Sequence, residues 1–359
     1  MPELVLLVLG PSAGGIRRHV AVLRDGLRAL GWTVETAGPP GVLDGLGGLD
    51  HEVPIGLSPV QLARSAAALR SIGKGAAMVH AHGLKAAAAV AAAGLRPRVL
   101  TVHNVVLDDA AGAAAPVLRA VERRLPAWMD HTISVSSEIA GRLGVLHRPR
   151  ASVIVPAGTP PTVVADRAAV RAALAVGDAP LVVTAARMHP QKDLTTFLGA
   201  MDHARTRVPD LRVAIAGDGP EAPAVRAERA RLGLDEVVEL LGQRDDVPDL
   251  LAAADVVALS SIWEGSPLVV AEAMLLGRPV AATAVGAVPE AVVDGTTGRL
   301  VPPRDPVALG DAVADLLLDP AAAAAMATAG KQLADQRFAT DVLVAEVAEV
   351  YATVGGGSR

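Results

Sequence analysis

Two glutamates, Glu264 and Glu272, are the only charged residues between Asp255 and Arg278. They lie in the apolar stretch WEGSPLVVAEAMLLG. A carboxylate in such surroundings needs hydrogen-bond partners, because an unpaired buried charge is costly. Sugar hydroxyls would supply those partners. In the alternative interpretation, Glu272 caps a buried backbone group and Glu264 is solvated.

This stretch predicts a strand, a loop and a helix. The preceding DVVALSS has the apolar, β-branched character of a buried strand. Ser266 is a favourable N-cap, and Pro267 suits the first helical position. One glutamate is then in the loop and the other inside the helix. The first backbone N–H groups of that helix, at Leu268 and Val269, would suit a phosphate.

Two cations follow another predicted strand. Arg187 and Lys192 stand in TAARMHPQKDL, where Asp193 is the expected N-cap of the next helix. Arg187 through forked hydrogen bonds, and Lys192 as a point charge, could neutralise a pyrophosphate without any metal. The alternative is an ordinary exposed Arg and Lys. Asp218, in AGDGP, is interpreted as a turn former.

Glycine and histidine mark the loops of the first half. Gly14 and Gly15 open a helix in GPSAGGIRRHV and could let backbone N–H groups approach a phosphate, although a tight turn explains the same residues. His80 and His82, in VHAHG, and His103, in TVHN, are expected at strand ends on one edge of a sheet. No acidic or Cys residue accompanies them at metal-ligand spacing, so we expect no zinc site.

The predicted elements alternate strand and helix through both halves, which is typical of an α/β protein with two parallel, helix-covered sheets. Ligands bind beyond the carboxyl ends of such strands, so the two domains are expected to face each other across a cleft. The Pro- and Gly-rich VPAGTPP is the predicted linker. Strands are predicted at Leu4–Leu9, Trp32–Thr36, Ala77–His80, Arg98–Val102, His131–Val135, Ser152–Val155, Leu181–Ala186, Leu211–Ala216, Val237–Leu241, Asp255–Ser260, Pro279–Thr283 and Arg299–Val301.

Length and composition narrow the class of protein. The 359 residues are long for one hydrophobic core and natural for two domains. The net charge of -5 offers no basic surface for nucleic acid. The chain has no cysteine, which is compatible with a reducing cytosol. Its apolar runs are shorter than the roughly 18 residues of a membrane span, and we expect a cytoplasmic protein.

The same motifs resemble the family 4 retaining glycosyltransferases, which have two Rossmann-like domains in the GT-B fold. The resemblance covers nearly the whole chain and runs in order through AGGIRRHV, VHAHG, TVHN, AARMHPQKDL, AIAGDGP and WEGSPLVVAEAMLLG. Its most specific part is the pair of glutamates in the last motif. It implies an acceptor-side domain over residues 1–156 and a nucleotide-sugar-binding domain over 157–337, with a last helix at about 338–354 that packs on the first domain.

The resemblance also implies how the donor is held. The backbone N–H of Gly15, with Arg187 and Lys192, would bind the pyrophosphate of a nucleotide-sugar, helped by the amides of Leu268 and Val269. No metal or other cofactor would be required. The reaction would retain the anomeric configuration, with the leaving phosphate accepting the proton of the acceptor.

Sugar, ribose, base and acceptor are assigned in the same way. Glu264 would bind hydroxyls of the transferred sugar, and Glu272 the ribose. The loop carrying Gln243 and Arg244 would meet the base, largely through its backbone. His103 would contact the sugar near the reacting carbon, and the segment around His82 would face the acceptor.

The chain departs from the family pattern at two places. Residues Pro156–Pro160 read PAGTP where the family often has an Asn-Gly-Val-Asp-like turn, which puts in doubt any contact made by polar side chains of that turn. Asp193 follows Lys192 where glycine is common, and this exchange is expected to change only the helix cap.

Substrates stay open at this stage. A UDP-sugar is favoured as donor, with GDP-mannose as the alternative, and the acceptor is a glycan, lipid-linked or small-molecule hydroxyl. An amphipathic basic helix with Leu118 and Trp128 on its apolar side could contact anionic lipid at the inner face of a membrane, or face the core. The rival functions are a sugar-nucleotide epimerase and a non-catalytic nucleotide-sugar-binding subunit.

Overall fold

A computed structural model of the chain describes residues 3–12, 15–105, 115–155, 161–265 and 267–356. The chain forms two compact units, Met1–Ala157 together with Thr340–Arg359, and Gly158–Ala339. Each unit contains one parallel sheet, with seven strands in the first and six in the second. The prediction of two parallel-sheet α/β domains is therefore confirmed. Most of the predicted linker, and the PAGTP turn within it, lies outside the described residues.

The first unit is built on a sheet in the order β3-β2-β1-β4-β5-β6-β7. Its central strand β1 reads LVLLVL and is apolar throughout, as a strand covered on both faces must be. The two-residue edge strand β3 was not predicted. The strands are β1 Leu4–Leu9, β2 Thr33–Gly38, β3 His51–Glu52, β4 Met78–His82, β5 Arg98–Val102, β6 His131–Ser134 and β7 Ala151–Val153. The helices are α1 Gly15–Ala29, α2 Pro59–Ile72, α3 Leu84–Ala93, α4 Ala115–Arg124 and α5 Ser137–Arg142, with a 3-10 turn at Leu125–Trp128.

The second unit repeats this layout, in the order β10-β9-β8-β11-β12-β13. Its strands are β8 Leu181–Ala185, β9 Arg212–Ala216, β10 Val238–Gly242, β11 Val256–Leu259, β12 Val280–Thr283 and β13 Arg299–Val301. Its helices are α6 Arg167–Ala173, α7 Leu194–Ala204, α8 Ala222–Arg231, α9 Val247–Ala253, α10 Leu268–Leu275, α11 Val288–Ala291, α12 Pro306–Leu318 and α13 Pro320–Arg337, with a 3-10 turn at Pro190–Lys192.

Strand order decides where ligands can bind in each unit. The chain direction along the sheet reverses between β1 and β4 in the first unit, and between β8 and β11 in the second. Loops diverge at such a switch point and leave a crevice beyond the carboxyl ends of the strands. The motifs with Gly15, His82, Lys192 and Glu264 end or follow these four strands, whereas His103, Asp218 and Gln243 follow the neighbouring strands β5, β9 and β10.

The last helix, α14 (Thr340–Gly356), belongs to the first unit. Leu343, Val347 and Tyr351 are buried in the core of that unit. A methyl group built on Gly26 of α1 would come within 2.3 Å of Cγ2 of Val344. The two helices therefore approach each other closely, and only a small residue fits at Gly26.

Two local expectations differ from the structure. The helix expected to start at Pro267 starts at Leu268, with Pro267 as its cap residue, and the expected N-cap Ser266 lies outside the described residues. The amphipathic helix ends at Arg124 and continues as a 3-10 turn, in which Trp128 is 41% exposed. Among the described helices, none alone is long and apolar enough to cross a membrane, although one pair bent by 102°, Pro306–Leu318 with Pro320–Gly355, meets that criterion on length and composition.

Candidate active site

The loops after β8 and β11 bring Lys192 and Glu264 together in the second unit. Lys192 Nζ donates to Glu264 Oε1 across 2.6 Å, and Ser261 Oγ donates to the same oxygen across 2.5 Å. The Glu264 side chain is 5% exposed, whereas that of Lys192 is 23% exposed. The buried carboxylate of Glu264 is therefore already ion-paired, and the ammonium group of Lys192 is the more exposed of the two groups.

Side chains of small polar residues tie these two loops to each other. Ser260 Oγ donates to the carbonyl oxygens of Lys192 and Asp193, both across 2.9 Å. Gln191 Nε2 donates to the Trp263 carbonyl across 2.7 Å, and Ile262 N donates to the Gln191 carbonyl across 2.9 Å. The Lys192–Glu264 pair is consequently held by backbone that is fixed on both sides.

Asp193 shows what replaces the glycine common in the family. Its backbone is left-handed, with φ 45° and ψ 52°, a region that glycine enters without cost. The Asp193 carboxylate accepts hydrogen bonds from Thr195 Oγ1 across 3.0 Å and from Thr196 Oγ1 across 2.7 Å, and it caps α7 through Thr196 N. Asp193 therefore caps this helix as expected.

Glycines allow the loops at this edge to touch. A methyl group on Gly286 would lie 1.8 Å from the Glu264 carbonyl oxygen, and its φ is +55°. Ala287 N donates to the same carbonyl across 2.9 Å. Methyl groups on Gly217 and Gly219, on either side of Asp218, would lie 2.0 Å and 2.4 Å from backbone carbonyl oxygens next to Arg187. Any side chain at these positions would push the site loops apart.

Arg187 is exposed at the end of β8. Within the part of the chain that the structure describes, its guanidinium forms no hydrogen bond or ion pair. An exposed guanidinium at the carboxyl edge of a parallel sheet can bind a phosphate in two-pronged fashion. The role of Arg187 in binding the pyrophosphate stays a prediction.

Helix α10 carries the second glutamate. Glu272 is 4% exposed and is the fifth residue of an eight-residue apolar helix. The first intrahelical bonds run from Val270 N and Ala271 N to the Pro267 carbonyl. The amides of Leu268 and Val269 precede them, as the first amides of any helix do, and can serve an anion.

The expected base-binding loop follows β10. Gln243 and Arg244 are exposed, and the carbonyl of Gly242 accepts from Gly217 N across 2.7 Å. Arg244 forms a two-pronged ion pair with Asp246, at 2.8 and 2.5 Å. The guanidinium of Arg244 is therefore engaged within its own loop, and contact of the loop backbone with the base stays a prediction.

The first unit gathers histidines at the matching edge of its sheet. His82 ends β4, and His103 follows β5 by one residue. His82 Nδ1 lies 3.1 Å from His103 Nε2, and both rings are buried. A cavity of about 220 Å³ opens beside them, lined also by Ser12, Lys85 and Asn104. The expected meeting of these two strand-end histidines is thus observed, as is Gly15 at the start of α1, while Gly14 lies outside the described residues.

His80 has a structural role, in contrast to its expected place among the ligand-facing histidines. Its Nδ1 shares a 2.7 Å hydrogen bond with the Tyr351 hydroxyl, and its Nε2 another with Thr101 Oγ1 at 2.7 Å. Its ring centroid lies 4.3 Å from that of His82. His80 therefore connects α14 to the side chain that faces the cavity.

His19 of α1 completes the group and was missed in the sequence. Its ring centroid lies 4.8 Å from that of His103 and 5.5 Å from that of His82. The available signal was its position four residues after Gly15, which puts both on one helix face. Burial lowers the pKa of His19 to about 4, and burial with neighbouring imidazoles lowers the pKa of His82 and His103 well below its usual value. These imidazoles are neutral at pH 7.

Comparison with known families covers both units. A family described as Glycosyltransferase Family 4 matches residues 13–163, and one described as Glycosyl transferases group 1 matches residues 179–319. Each match spans most of one sheet with its site loops.

Two curated relatives match about two thirds or more of this chain. The GDP-mannose-dependent alpha-(1-6)-phosphatidylinositol monomannoside mannosyltransferase of Mycolicibacterium smegmatis is 34% identical over 259 residues, which are 67% of this chain and 66% of that protein. The D-inositol 3-phosphate glycosyltransferase of Kribbella flavida is 32% identical over 286 residues, which are 70% of this chain and 68% of that protein. The match thus spans about two thirds of each relative.

Solved structures share the fold over the full length. Anabaena HepE in complex with UDP and glucose superposes with a TM-score of 0.85 at 22% identity, covering 98% of this chain and 100% of that one. Sucrose-phosphate synthase from Thermosynechococcus elongatus superposes with a TM-score of 0.84 at 22% identity, covering 99% and 100%. At this level of identity the likeness establishes the architecture.

Proposed function

Because this chain belongs to the family 4 glycosyltransferases and has their GT-B fold, we propose that it transfers a sugar from a nucleotide-sugar to an acceptor hydroxyl with retention of anomeric configuration. The observation that carries the proposal is the ion pair of Lys192 and Glu264 at the switch point of the second sheet. A buried carboxylate beside a cation offers an acceptor for sugar hydroxyls and a positive charge for a phosphate. The loops after β8 and β11 thus supply both a group that can accept hydrogen bonds from the sugar and a cation that can bind the phosphate.

Departure of the nucleoside diphosphate is the chemical step that the cations of this site assist. Arg187 and Lys192 would bind the pyrophosphate and stabilise the negative charge that develops on it as the bond to the sugar breaks. The amides of Leu268 and Val269 add neutral donors to the same charge. With two cations and a helix start available, we propose that the reaction requires no divalent metal.

The identity of the donor is the finer part of the proposal. The 34% identical mycobacterial relative is named as GDP-mannose-dependent, which favours GDP-mannose over the UDP-sugar preferred on sequence grounds. Glu272 and the backbone around Gln243 are the proposed contacts to ribose and base. Since ribose is common to both donors, the discrimination between guanine and uracil would rest on the loop after β10.

The first unit is proposed to bind the acceptor. Its cavity of about 220 Å³ contains His82, His103, Asn104 and Lys85, which provide hydrogen-bond partners for a polyol. Relatives are named for phosphatidylinositol monomannoside and D-inositol 3-phosphate, so an inositol-bearing or lipid-linked acceptor is proposed. Exposed Trp128, next to the exposed side chains of Arg123 and Arg124, supports peripheral contact with an anionic membrane.

Release of nucleotide from a panel of UDP- and GDP-sugars tests the proposal. We expect GDP-mannose to be cleaved fastest, with further acceleration by inositol-containing acceptors. Faster cleavage of a UDP-sugar would restore the preference drawn from the sequence. Tight binding of nucleotide-sugars without any turnover, with or without acceptors, would identify a non-catalytic binding subunit and overturn the enzymatic proposal.

A further inference from the structure

Three histidines of the first unit converge from separate elements. His19 comes from α1, His82 from the end of β4 and His103 from the loop after β5. Each offers one ring nitrogen such that all three nitrogens lie within 4.8 Å of one another. The three rings are 4%, 2% and 5% exposed. This arrangement is a concave set of nitrogen donors in the interior of the unit.

Several of these nitrogens have no protein partner. Both ring nitrogens of His19, and Nε2 of His82, are buried without a hydrogen bond to any residue that the structure describes. Leaving a buried polar atom without a hydrogen-bond partner is unfavourable, and such atoms are rare in native proteins. A ligand that interacts with these ring nitrogens would therefore stabilise the cluster.

A divalent transition-metal ion can bind ring nitrogens of this kind. Neutral imidazole is its preferred nitrogen ligand, and three histidines with an open fourth position form a common metal site. The ring of His80 lies close to that of His82, but neither of its nitrogens is available to a metal, because they are hydrogen-bonded to Tyr351 and Thr101. We propose that His19, His82 and His103 form a binding site for a transition-metal ion such as Zn²⁺ or Co²⁺.

This proposal reverses the expectation from the sequence that there is no zinc site. That expectation arose because the three ligands do not share a short motif. His82 and His103 are 21 residues apart, and His19 is on a different helix. Parallel pairing aligns His82 with Thr101 on the neighbouring strand, which brings His103 beside it. Helix α1 then supplies the third nitrogen from above the sheet edge.

Occupation of the site would affect turnover. The family resemblance places His103 near the reacting carbon of the sugar, so a metal that engages His103 should inhibit transfer. This consequence rests on the proposed function, whereas metal binding itself does not. Inhibition by Zn²⁺ and independence from Mg²⁺ are therefore compatible properties of one protein.

Cobalt binding by the full-length chain tests the site without any substrate. Metal-free protein titrated with Co²⁺ should show one saturable site with the visible absorption of a four- or five-coordinate ion. His19→Gln should weaken that binding roughly tenfold or more, since even loss of an outer hydrogen-bond partner costs a metal site 10–100-fold. His203→Gln is the matched control, because it removes a histidine beside a carboxylate, 3.0 Å from Asp311, outside the cluster.

X-ray absorption spectroscopy at the zinc edge, on the wild-type chain loaded with Zn²⁺, provides a second measurement that needs no variant. Three imidazole nitrogens at about 2.0–2.1 Å are expected around the bound ion. Absence of saturable Co²⁺ binding, or binding that survives His19→Gln unchanged in a folded protein, would overturn the proposal. Should His19→Gln fail to fold, fewer than three imidazoles around zinc in the wild type would overturn it. Because no sugar is present, this failure is distinguishable from failure of the transferase proposal.

Discussion

Lys192 and Glu264 form a hydrogen-bonded ion pair, 2.6 Å from Nζ to Oε1, across 72 residues of chain. The two residues were expected to serve different parts of a donor, phosphate and sugar. Their pairing means that Glu264 also orients the cation that faces the phosphate. A change at Glu264 should therefore affect the phosphate site as well as the sugar site, while a change at Glu272 should not.

The two glutamates should respond differently when replaced by glutamine. Glu264→Gln removes one charge-assisted interaction worth about 1.5–3 kcal/mol and should slow turnover roughly ten- to hundred-fold. Glu272→Gln should mainly weaken binding of the free nucleotide, because ribose is common to donor and product. Steady-state kinetics and calorimetric titration with nucleotide distinguish these effects, with exposed Glu239→Gln as control. A Glu264→Gln enzyme with normal turnover would refute the role given to the ion pair.

Alanine at Gly286 should lower activity, in addition to the loss of stability that alanine causes at any position with positive φ. Both Gly286 and Gly295 have positive φ, +55° and +70°, so alanine at either position carries about 1–2 kcal/mol of strain. Only at Gly286 would the new methyl group collide with the Glu264 carbonyl, at 1.8 Å, while nothing lies within 4 Å at Gly295. Gly286→Ala should lose activity and melt lower, whereas Gly295→Ala should melt lower with activity retained. Equal activities of the two variants would contradict the packing argument.

The first unit should lose stability as the pH falls below about 6.5. Burial lowers the pKa of His19 to about 4 and of His80 to about 3, so the unfolded chain binds protons that the folded unit refuses. Their contribution is complete above pH 6.5 and disappears as the pH falls towards 4 and 3, by up to about 1.4 kcal/mol per pH unit for each histidine. The protection factors of the β4 amides, which correct hydrogen exchange for its intrinsic dependence on pH, should fall over this range more than those of the β8 amides. A shallower slope is expected in His19→Gln, and an unchanged slope would argue against a neutral His19.

Tyr351→Phe should lower the stability of the first unit. The change removes the hydroxyl bonded to His80 Nδ1 at 2.7 Å and leaves a buried imidazole nitrogen without that partner. We expect a loss of about 1–3 kcal/mol in the free energy of unfolding of this unit. Thr353→Ala, in the same helix, removes only an exposed hydroxyl bonded to the Glu349 carbonyl and serves as control. Equal stability of Tyr351→Phe and wild type would show that the His80 bond contributes nothing.

Chelation should leave transfer intact. If Arg187 and Lys192 neutralise the pyrophosphate, donor binding and turnover persist in EDTA. Loss of donor binding on chelation, restored by Mg²⁺ or Mn²⁺, would show that a divalent ion holds the phosphates. Lys192→Ala is the positive control, since removing this cation should reduce turnover whether or not metal is present.

Local patterns in the sequence determined the elements of this protein. The apolar run LVLLVL of β1 and the apolar core of DVVALSS predicted buried strands between helices. The cap at Asp193 and the strand-end positions of His82 and His103 were likewise readable, because propensity and side-chain periodicity act over a few residues. The helix start at Leu268 was off by one residue, since cap preferences do not locate an end more closely.

Tertiary structure alone decided which of these residues meet. Lys192 reaches Glu264 because β8 and β11 are neighbours in the sheet, although two strands and three helices separate them in the chain order. Gly286 makes room for that loop. His80 finds Tyr351 across 271 residues only because α14 returns to the first unit. His19 joins His82 and His103 through the packing of α1 on the sheet. Such contacts depend on strand order and helix packing, which arise from the burial of apolar surface by the whole chain, and a sequence motif does not record them.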